Sequence, residues 1–349
     1  MHSTFPLSPV SDVVQSALLR IPVMDSLACG LSGKHLLLTG GTGFFGKWLL
    51  ALLYKLEQQG LDISVTVVSR DPERFLSRHP EYRLCPWVHW LACDIRNSLS
   101  LRGRPIDLVL HAATDTSQHA HAQPLALFDT VVCGVRQVLD IAVRHGARRI
   151  LLTGSGAQYG ALHLGRAAAE DSPSACDCTF VGSAYSEAKR VQELMAVIYA
   201  KEFSIEPILT RCFTFAGPGL PPDGHFAFGN FVKDALYRDA IVIKSRGLSM
   251  RSYLHGADLA AWLLFLLLYG RPGEAYNVGS DSVISISELA QRIKMRLAPA
   301  KKLICMGAET ASESYYVPNI VKARALGLAP WSSLDESIDD TARWLKSQV

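Results

Sequence analysis

The sequence predicts an α/β fold, a doubly wound parallel sheet with a smaller C-terminal α/β lobe, and three observations predict it. From Leu31 onward, short apolar runs alternate with segments of helical period. Alternating strands and helices imply parallel pairing with both sheet faces covered. A loop of four glycines joins the first apolar run to the first amphipathic segment, where a chain must turn sharply. With 349 residues, 49% of them hydrophobic and 19% charged, the chain can bury a large core as one big domain or two closely joined ones.

Taken in order, "KHLLLTG" reads as a buried strand, and Phe44, Phe45, Trp48, Leu49, Leu52, Leu53 and Leu56 mark one side of a helix. "ISVTVVSR" is a second strand, rich in β-branched residues. "VHWLACD", "IDLVLHAA" and "RRILLTGS" are three more, separated by lengths that hold helices. After about Arg211 the rhythm breaks at "AGPGLPPDGH". A strand-like "AIVIKS" and an apolar helix around Ala257 to Tyr269 follow, and the tail from Ser285 mixes helices with loops. The expected organisation is an N-terminal extension over 1–30, and a dinucleotide-binding domain over 31–210 with about 250–278. A substrate lobe takes 211–249 and 279–349.

Bulk properties exclude several classes. A formal net charge of +3 without a dense basic tract argues against nucleic acid. Eight scattered cysteines suit a reducing compartment, and Cys176 and Cys178 read as loop cysteines because no second pair accompanies them. "AWLLFLLLYG" is too short to span a bilayer, and Arg20 and Asp25 interrupt the early apolar stretches, so neither membrane insertion nor a signal peptide is expected. The expected location is the cytoplasm. His111, His119 and His121 have only Asp115 near them at ligand spacing, so no metal is expected.

Within "TGGTGFFG", Gly41, Gly43 and Gly46 fit G-x-G-x-x-G, and Gly40, Gly43 and Gly46 fit the shifted spacing. The match follows a strand and opens a helix, the context its mechanism needs. The first glycines turn the chain, Gly43 admits a pyrophosphate and Gly46 permits close helix packing, as in a Rossmann-type fold. Free N–H groups at the helix start attract phosphates. No G-K-[ST] follows, which excludes a P-loop. Ser69 and Arg70 stand where an acidic residue would hold the ribose of NAD. Because Arg70 can pair with a 2′-phosphate, NADP(H) is favoured over NAD(H). Asp94 is placed against the adenine amino group, with Ile95 beside it in the cofactor site.

"SAYSEAKRVQEL" puts Tyr185 and Lys189 one helical turn apart on one face. A nearby ammonium is expected to lower the phenol pKa from about 10. Such a tyrosine moves a proton while a hydride moves to or from a nicotinamide.

With these motifs the sequence resembles the extended short-chain dehydrogenase/reductases, the NAD(P)-dependent nucleotide-sugar epimerase/dehydratase family, from about Leu31 to the C-terminus. "HAA", "TGSGAQYG", "RCFTFAGPG", "MRSYLHGADLA" and "YNVGS" extend the resemblance. It implies a Rossmann lobe, a nucleotide-sugar lobe, and a homodimer formed through a four-helix bundle. It also implies that Ser155 hydrogen-bonds the reacting sugar oxygen and that Lys189 reaches the nicotinamide ribose. The glycine loop with Phe44 and Phe45, and His111, Ala112 and Ala113, would contact the cofactor; Arg251 would face the sugar-nucleotide pyrophosphate. Thr214 stands where the family often has Asn in the substrate loop, and His225 and Asn230 are further candidates for touching the sugar nucleotide.

Departures narrow the reaction. Family 4,6-dehydratases carry Asp–Glu directly after the Ser/Thr, and decarboxylases keep the Glu; here those positions are Gly156 and Ala157, without a titratable group. Gln158 replaces a position that is often aliphatic, with no role legible in the sequence. The expected activity is hydride transfer at a hexose carbon, C4, of a nucleotide-diphosphate sugar, as a 4-epimerase or a 4-ketoreductase. The alternatives are a non-catalytic Rossmann cofactor sensor and a dehydratase with an atypical acid/base set.

Overall fold

Residues 6–98, 101, 105–162, 165–173, 175–220, 226–308 and 313–348 are described by the computed structural model. The chain enters through two helices, α1 (Asp12–Leu18) and α2 (Met24–Leu31), before its first strand. Ser11 starts α1 by accepting from the Val14 N–H. Residues 6–31 are not peripheral: Leu7, Val14, Ala17, Leu18, Ile21, Leu27 and Leu31 are buried in the main hydrophobic core.

Strands and helices then alternate as the periodicity predicts. They are β1 (Lys34–Thr39), α3 (Phe44–Gln58), β2 (Ile63–Ser69), α4 (Pro72–Leu76), β3 (Val88–Ala92) and β4 (Leu108–His111). After them come α5 (Gln118–His121), α6 (Pro124–Arg144), β5 (Arg149–Ser155), α7 (Ala184–Phe203) and β6 (Glu206–Cys212). The remaining elements are β7 (Phe215–Ala216), α8 (Ala227–Tyr237), β8 (Ala240–Ser245), β9 (Met250–Arg251), β10 (Leu254–His255) and α9 (Gly256–Tyr269). The chain ends with β11 (Ala275–Val278), β12 (Ile284–Ser285), α10 (Ile286–Leu297), β13 (Lys302–Ala308), β14 (Tyr315–Tyr316), α11 (Val321–Arg324) and α12 (Leu334–Lys346).

Seven strands form one parallel sheet in the order β3-β2-β1-β4-β5-β6-β11, a Rossmann-type arrangement. The order reverses between β1 and β4, which opens a crevice at their carboxyl ends. Alternate residues of one strand serve opposite faces. Leu36 and Leu38 join the core under α3 and α9, while Leu37 joins Val109, Ile150 and Leu152 under α6 and α7. The helix α9 is apolar all round because it is enclosed all round, by α3, α2 and the sheet. The seventh strand, β11, pairs with β6 after the chain has already visited the C-terminal lobe. That smaller lobe holds the parallel pair β8–β13, the three short strands β12-β9-β14, and helices α8, α10 and α12.

Helix α3 ties the two parts together. The indole N–H of Trp48 donates to Pro218 O at 3.0 Å, and Lys47 Nζ donates to Gly219 O at 3.2 Å. Both acceptors lie in the loop after β7. Trp48 also packs so closely on the start of α9 that a Cβ at Gly256 would run into its ring. Among the described residues, no helix is long and apolar enough to cross a membrane.

Candidate active site

The glycine loop leaves β1 at Thr39 and enters α3 at Phe44. Gly40 takes φ +74°, and a Cβ there would fall 2.5 Å from the Ala112 carbonyl, so β1 and the end of β4 approach backbone to backbone. At Gly46 a Cβ would overlap the Gly41 backbone. Gly43 is the exposed N-cap of α3, and no side chain caps the helix. The first N–H groups of α3 are therefore available to phosphate oxygens. Phe44 and Phe45 are half-buried, with Phe45 edge-on to Phe215 at 5.0 Å.

Gly46→Ala is an expected breaking point. Its methyl would press on the backbone of its own loop, at a cost of about 1–3 kcal/mol, and the phosphate-binding turn would be displaced. The variant should melt lower than the wild type, and NAD at about 1 mM should no longer raise its melting temperature.

At the carboxyl end of β2, Ser69 is the last strand residue, half-buried, and Arg70 follows it, exposed. Asp94 follows β3 beside buried Ile95, and its carboxylate accepts three bonds from Arg96, at 2.8, 2.9 and 3.0 Å. Those bonds hold its pKa down at about 2. Oδ2 takes one of them and so keeps a lone pair open to an adenine amino group.

At the carboxyl ends of β4 and β5 the polar groups converge. His111 is buried, with Nδ1 2.7 Å from Thr39 Oγ1 and Nε2 without a partner. Burial and the neighbouring Lys189 charge push its pKa down to about 3, so the ring is neutral. Ala112 and Ala113 continue from it, half-buried along the cleft. Ser155 ends β5 and starts a 3₁₀ turn, Gly156–Tyr159. Its hydroxyl accepts from the Ala157 N–H at 3.2 Å, and its own N–H donates to Gln158 Oε1 at 2.8 Å. Gln158 is thus the residue that fixes Ser155.

Tyr185 and Lys189 lie on the first turns of α7, as their spacing predicts. Tyr185 is half-buried, with the Ser155 hydroxyl among the groups that act on its phenol and its ring edge-on to His121 at 5.4 Å. Lys189 is 1% exposed, and Nζ donates to Thr153 O at 2.7 Å, Thr114 Oγ1 at 2.9 Å and Gln192 Oε1 at 3.1 Å. All three of its protons are therefore spent away from the phenol.

This corrects the expected electrostatics. Desolvation raises the Tyr185 pKa above its usual value, only partly offset by Ser155, and the lysine does not lower it. Lys189 itself is pulled down to about 8 by burial.

The sugar-side candidates come from other elements. Thr214, before β7, is half-buried and its Oγ1 is a buried oxygen without a partner. Asn230 lies on the first turn of α8, half-buried. Arg251, on β9, donates to Met250 O at 2.8 Å and to Ser314 O and Oγ at 3.1 and 2.9 Å. Every one of those partners is neutral, and burial lowers the Arg251 pKa. His225 lies outside the described residues. His119 and His121 are on the short helix α5, and among the described residues no three His, Cys, Asp or Glu side chains are grouped to hold a metal. Sequence reasoning missed Tyr316 on β14, whose hydroxyl stands 3.5 Å from Ser155 Oγ. One of two adjacent tyrosines in a two-residue strand carries no pattern to find it by.

Fold and cleft together define a dinucleotide-binding enzyme of the Rossmann class. The chain belongs to the NAD dependent epimerase/dehydratase family, whose model matches residues 36–279. It is 27% identical to UDP-glucuronic acid decarboxylase 5 of Arabidopsis thaliana, over 91% of this chain and 90% of that one. The fold is shared with a dTDP-glucose 4,6-dehydratase from Streptomyces venezuelae, at TM-score 0.76 and 23% identity over 90% and 97% of the two chains. It is shared as well with UDP-glucose 4-epimerase from Thermus thermophilus, at TM-score 0.73 and 20% identity over 90% and 100%.

The preference for NADP(H) is corrected by these relatives, since both solved proteins carry NAD. The physical flaw lay in reading Arg70 as reserved for a phosphate. Its side chain is exposed, and its charge bears on the Asp94 carboxylate.

Proposed function

We propose that the chain moves a hydride at a hexose carbon, C4, of a nucleotide-diphosphate sugar, as a 4-epimerase or a 4-ketoreductase, with NAD as coenzyme. The observation that carries the reading is that α7 packs on β5 so that Tyr185, on its first turn, feels the hydroxyl of Ser155 at the carboxyl end of that strand. Relatives named for UDP- and dTDP-sugars support the substrate class.

NAD, when bound, accepts or returns the hydride. The residues fit it: an uncapped helix start, Gly40 and Gly46 where backbone leaves no room for a side chain, and a buried His111 Nε2 left without a protein partner. Ser155 holds the C4 oxygen. Tyr185 takes its proton when the sugar is oxidised and gives one back when the ketone is reduced. Its raised pKa keeps it protonated near neutral pH, so the resting site is set to donate. Lys189 anchors α7 to β5 through Thr153 O, which fixes where the phenol stands. Arg251, a half-buried cation among neutral partners, suits the pyrophosphate. Gly156 and Ala157 offer no carboxylate for dehydration or decarboxylation.

A homodimer would form through α6 and α7, whose outer surfaces expose Leu125, Leu194, Val197 and Ile198.

UDP-, dTDP-, GDP- and CDP-hexoses, with their 4-keto forms, test the reading. Conversion of a sugar at C4 without net NADH consumption marks an epimerase, and stoichiometric NADH oxidation by a 4-keto sugar marks a ketoreductase. Failure to convert any of them, with NAD bound, overturns the proposal.

A further inference from the structure

We propose that Tyr316 is a third hydroxyl of the reaction centre, a hydrogen-bond donor to the sugar oxygen that Ser155 and Tyr185 also face. The inference rests on the hydride-transfer reading above and adds a residue from the other lobe. Strand β14 pairs with β9 so that Tyr316 lies opposite Arg251, and the Arg251 guanidinium stands 5.7 Å from the centre of its ring. The ring packs on Phe213 at 4.7 Å. These contacts fix the direction of the phenol, which ends 3.5 Å from Ser155 Oγ and 3.4 Å from Cys212 O.

Contacts that long are weak hydrogen bonds, so a ligand oxygen would compete for the proton with success. Space tells the same story. A Cβ on Gly156 would fall 2.7 Å from the Tyr316 oxygen and 2.9 Å from the Phe213 ring. The side chain that residue 156 lacks and the phenol that arrives from β14 occupy one place. Burial raises the Tyr316 pKa to about 12, so the group gives a hydrogen bond and does not remove protons. With Ala157 N–H already donating to Ser155 Oγ, the serine hydrogen is left for the substrate oxygen beside the Tyr316 proton.

Tyr316→Phe removes only the hydroxyl and keeps both ring contacts. With the hexose nucleotide that the wild type converts, kcat should fall about 100- to 1,000-fold, the scale for losing one such donor, while KM and melting temperature stay within error of the wild type. Gly156→Ala, which displaces the same hydroxyl, should lower kcat similarly and add little on top of Tyr316→Phe. Tyr185→Phe is measured alongside. If Tyr185→Phe is inactive and Tyr316→Phe keeps wild-type kcat, the proposal for Tyr316 falls and the hydride-transfer reading stands. A lower melting temperature at unchanged kcat also overturns it, because it marks a packing role. If neither variant loses activity, or the wild type converts no sugar nucleotide, both readings fall together.

Discussion

Tyr185→Phe is expected to lower kcat about 1,000-fold, within the range a positioned proton donor supplies, without weakening NAD. The ring keeps its edge contact with His121, so the loss isolates the oxygen. Melting curves with and without NAD should match the wild type, because Tyr185 lies on α7 and the proposed phosphate site is the start of α3. The pH dependence follows from the direction of its shift. A phenol raised above its ordinary pKa is protonated at neutral pH, so sugar oxidation, which needs the phenolate, should quicken as pH rises. Ketone reduction, which needs the phenol, should not. Stopped-flow absorbance of NADH in both directions reads the difference, and the alkaline rise should vanish in the phenylalanine variant.

Asp340→Ala should be the most damaging single change to stability outside the core, about 3 kcal/mol. Its carboxylate is 1% exposed, yet it meets Arg20 from the segment after α1, Arg343 one turn along α12 at 2.6 Å, and His255 Nε2 at 3.4 Å. His255 Nδ1 accepts from the Ala257 N–H, so the ring carries its hydrogen on Nε2, facing the acid. Removing the carboxylate strands Arg20 without its buried partner. The group is also a source of acid sensitivity. Burial works to raise its pKa, but the neighbouring His255 and the hydrogen-bonded Arg20 outweigh that and depress it to about 2. An unfolded aspartate titrates near ~4. The stabilisation is therefore complete above about pH 4 and is lost as pH falls toward about 2. Urea melts of the variant should show a shallower decline over that interval than the wild type.

What could be read from the residues was whatever local chemistry repeats along the chain. The sheet's first five strands are legible because parallel strands are apolar on both faces, and the glycine loop because its turn tolerates no Cβ at Gly40 or Gly46. Tyr185 and Lys189 are legible through helical spacing. The rest depended on partners distant in sequence. Residues 6–31 read as an extension because nothing in them announces α9 or α12, against which they fold. The seventh strand is four residues long and pairs with a strand far earlier in the chain. Lys189 has the spacing to tune its neighbour, but Thr114, Thr153 and Gln192, none of them legible as partners, take its protons. Gln158, opaque as a letter, is plain once its oxygen is found on the Ser155 amide.

Trp48 and Lys47 have a practical meaning for anyone reshaping this protein. They sit just past the last glycine of the nucleotide turn, and they grip Pro218 and Gly219 in the loop after β7. Engineering that seeks a new sugar preference through the 216–220 loop will therefore retune coenzyme affinity as well, and libraries aimed at one trait should be screened for the other.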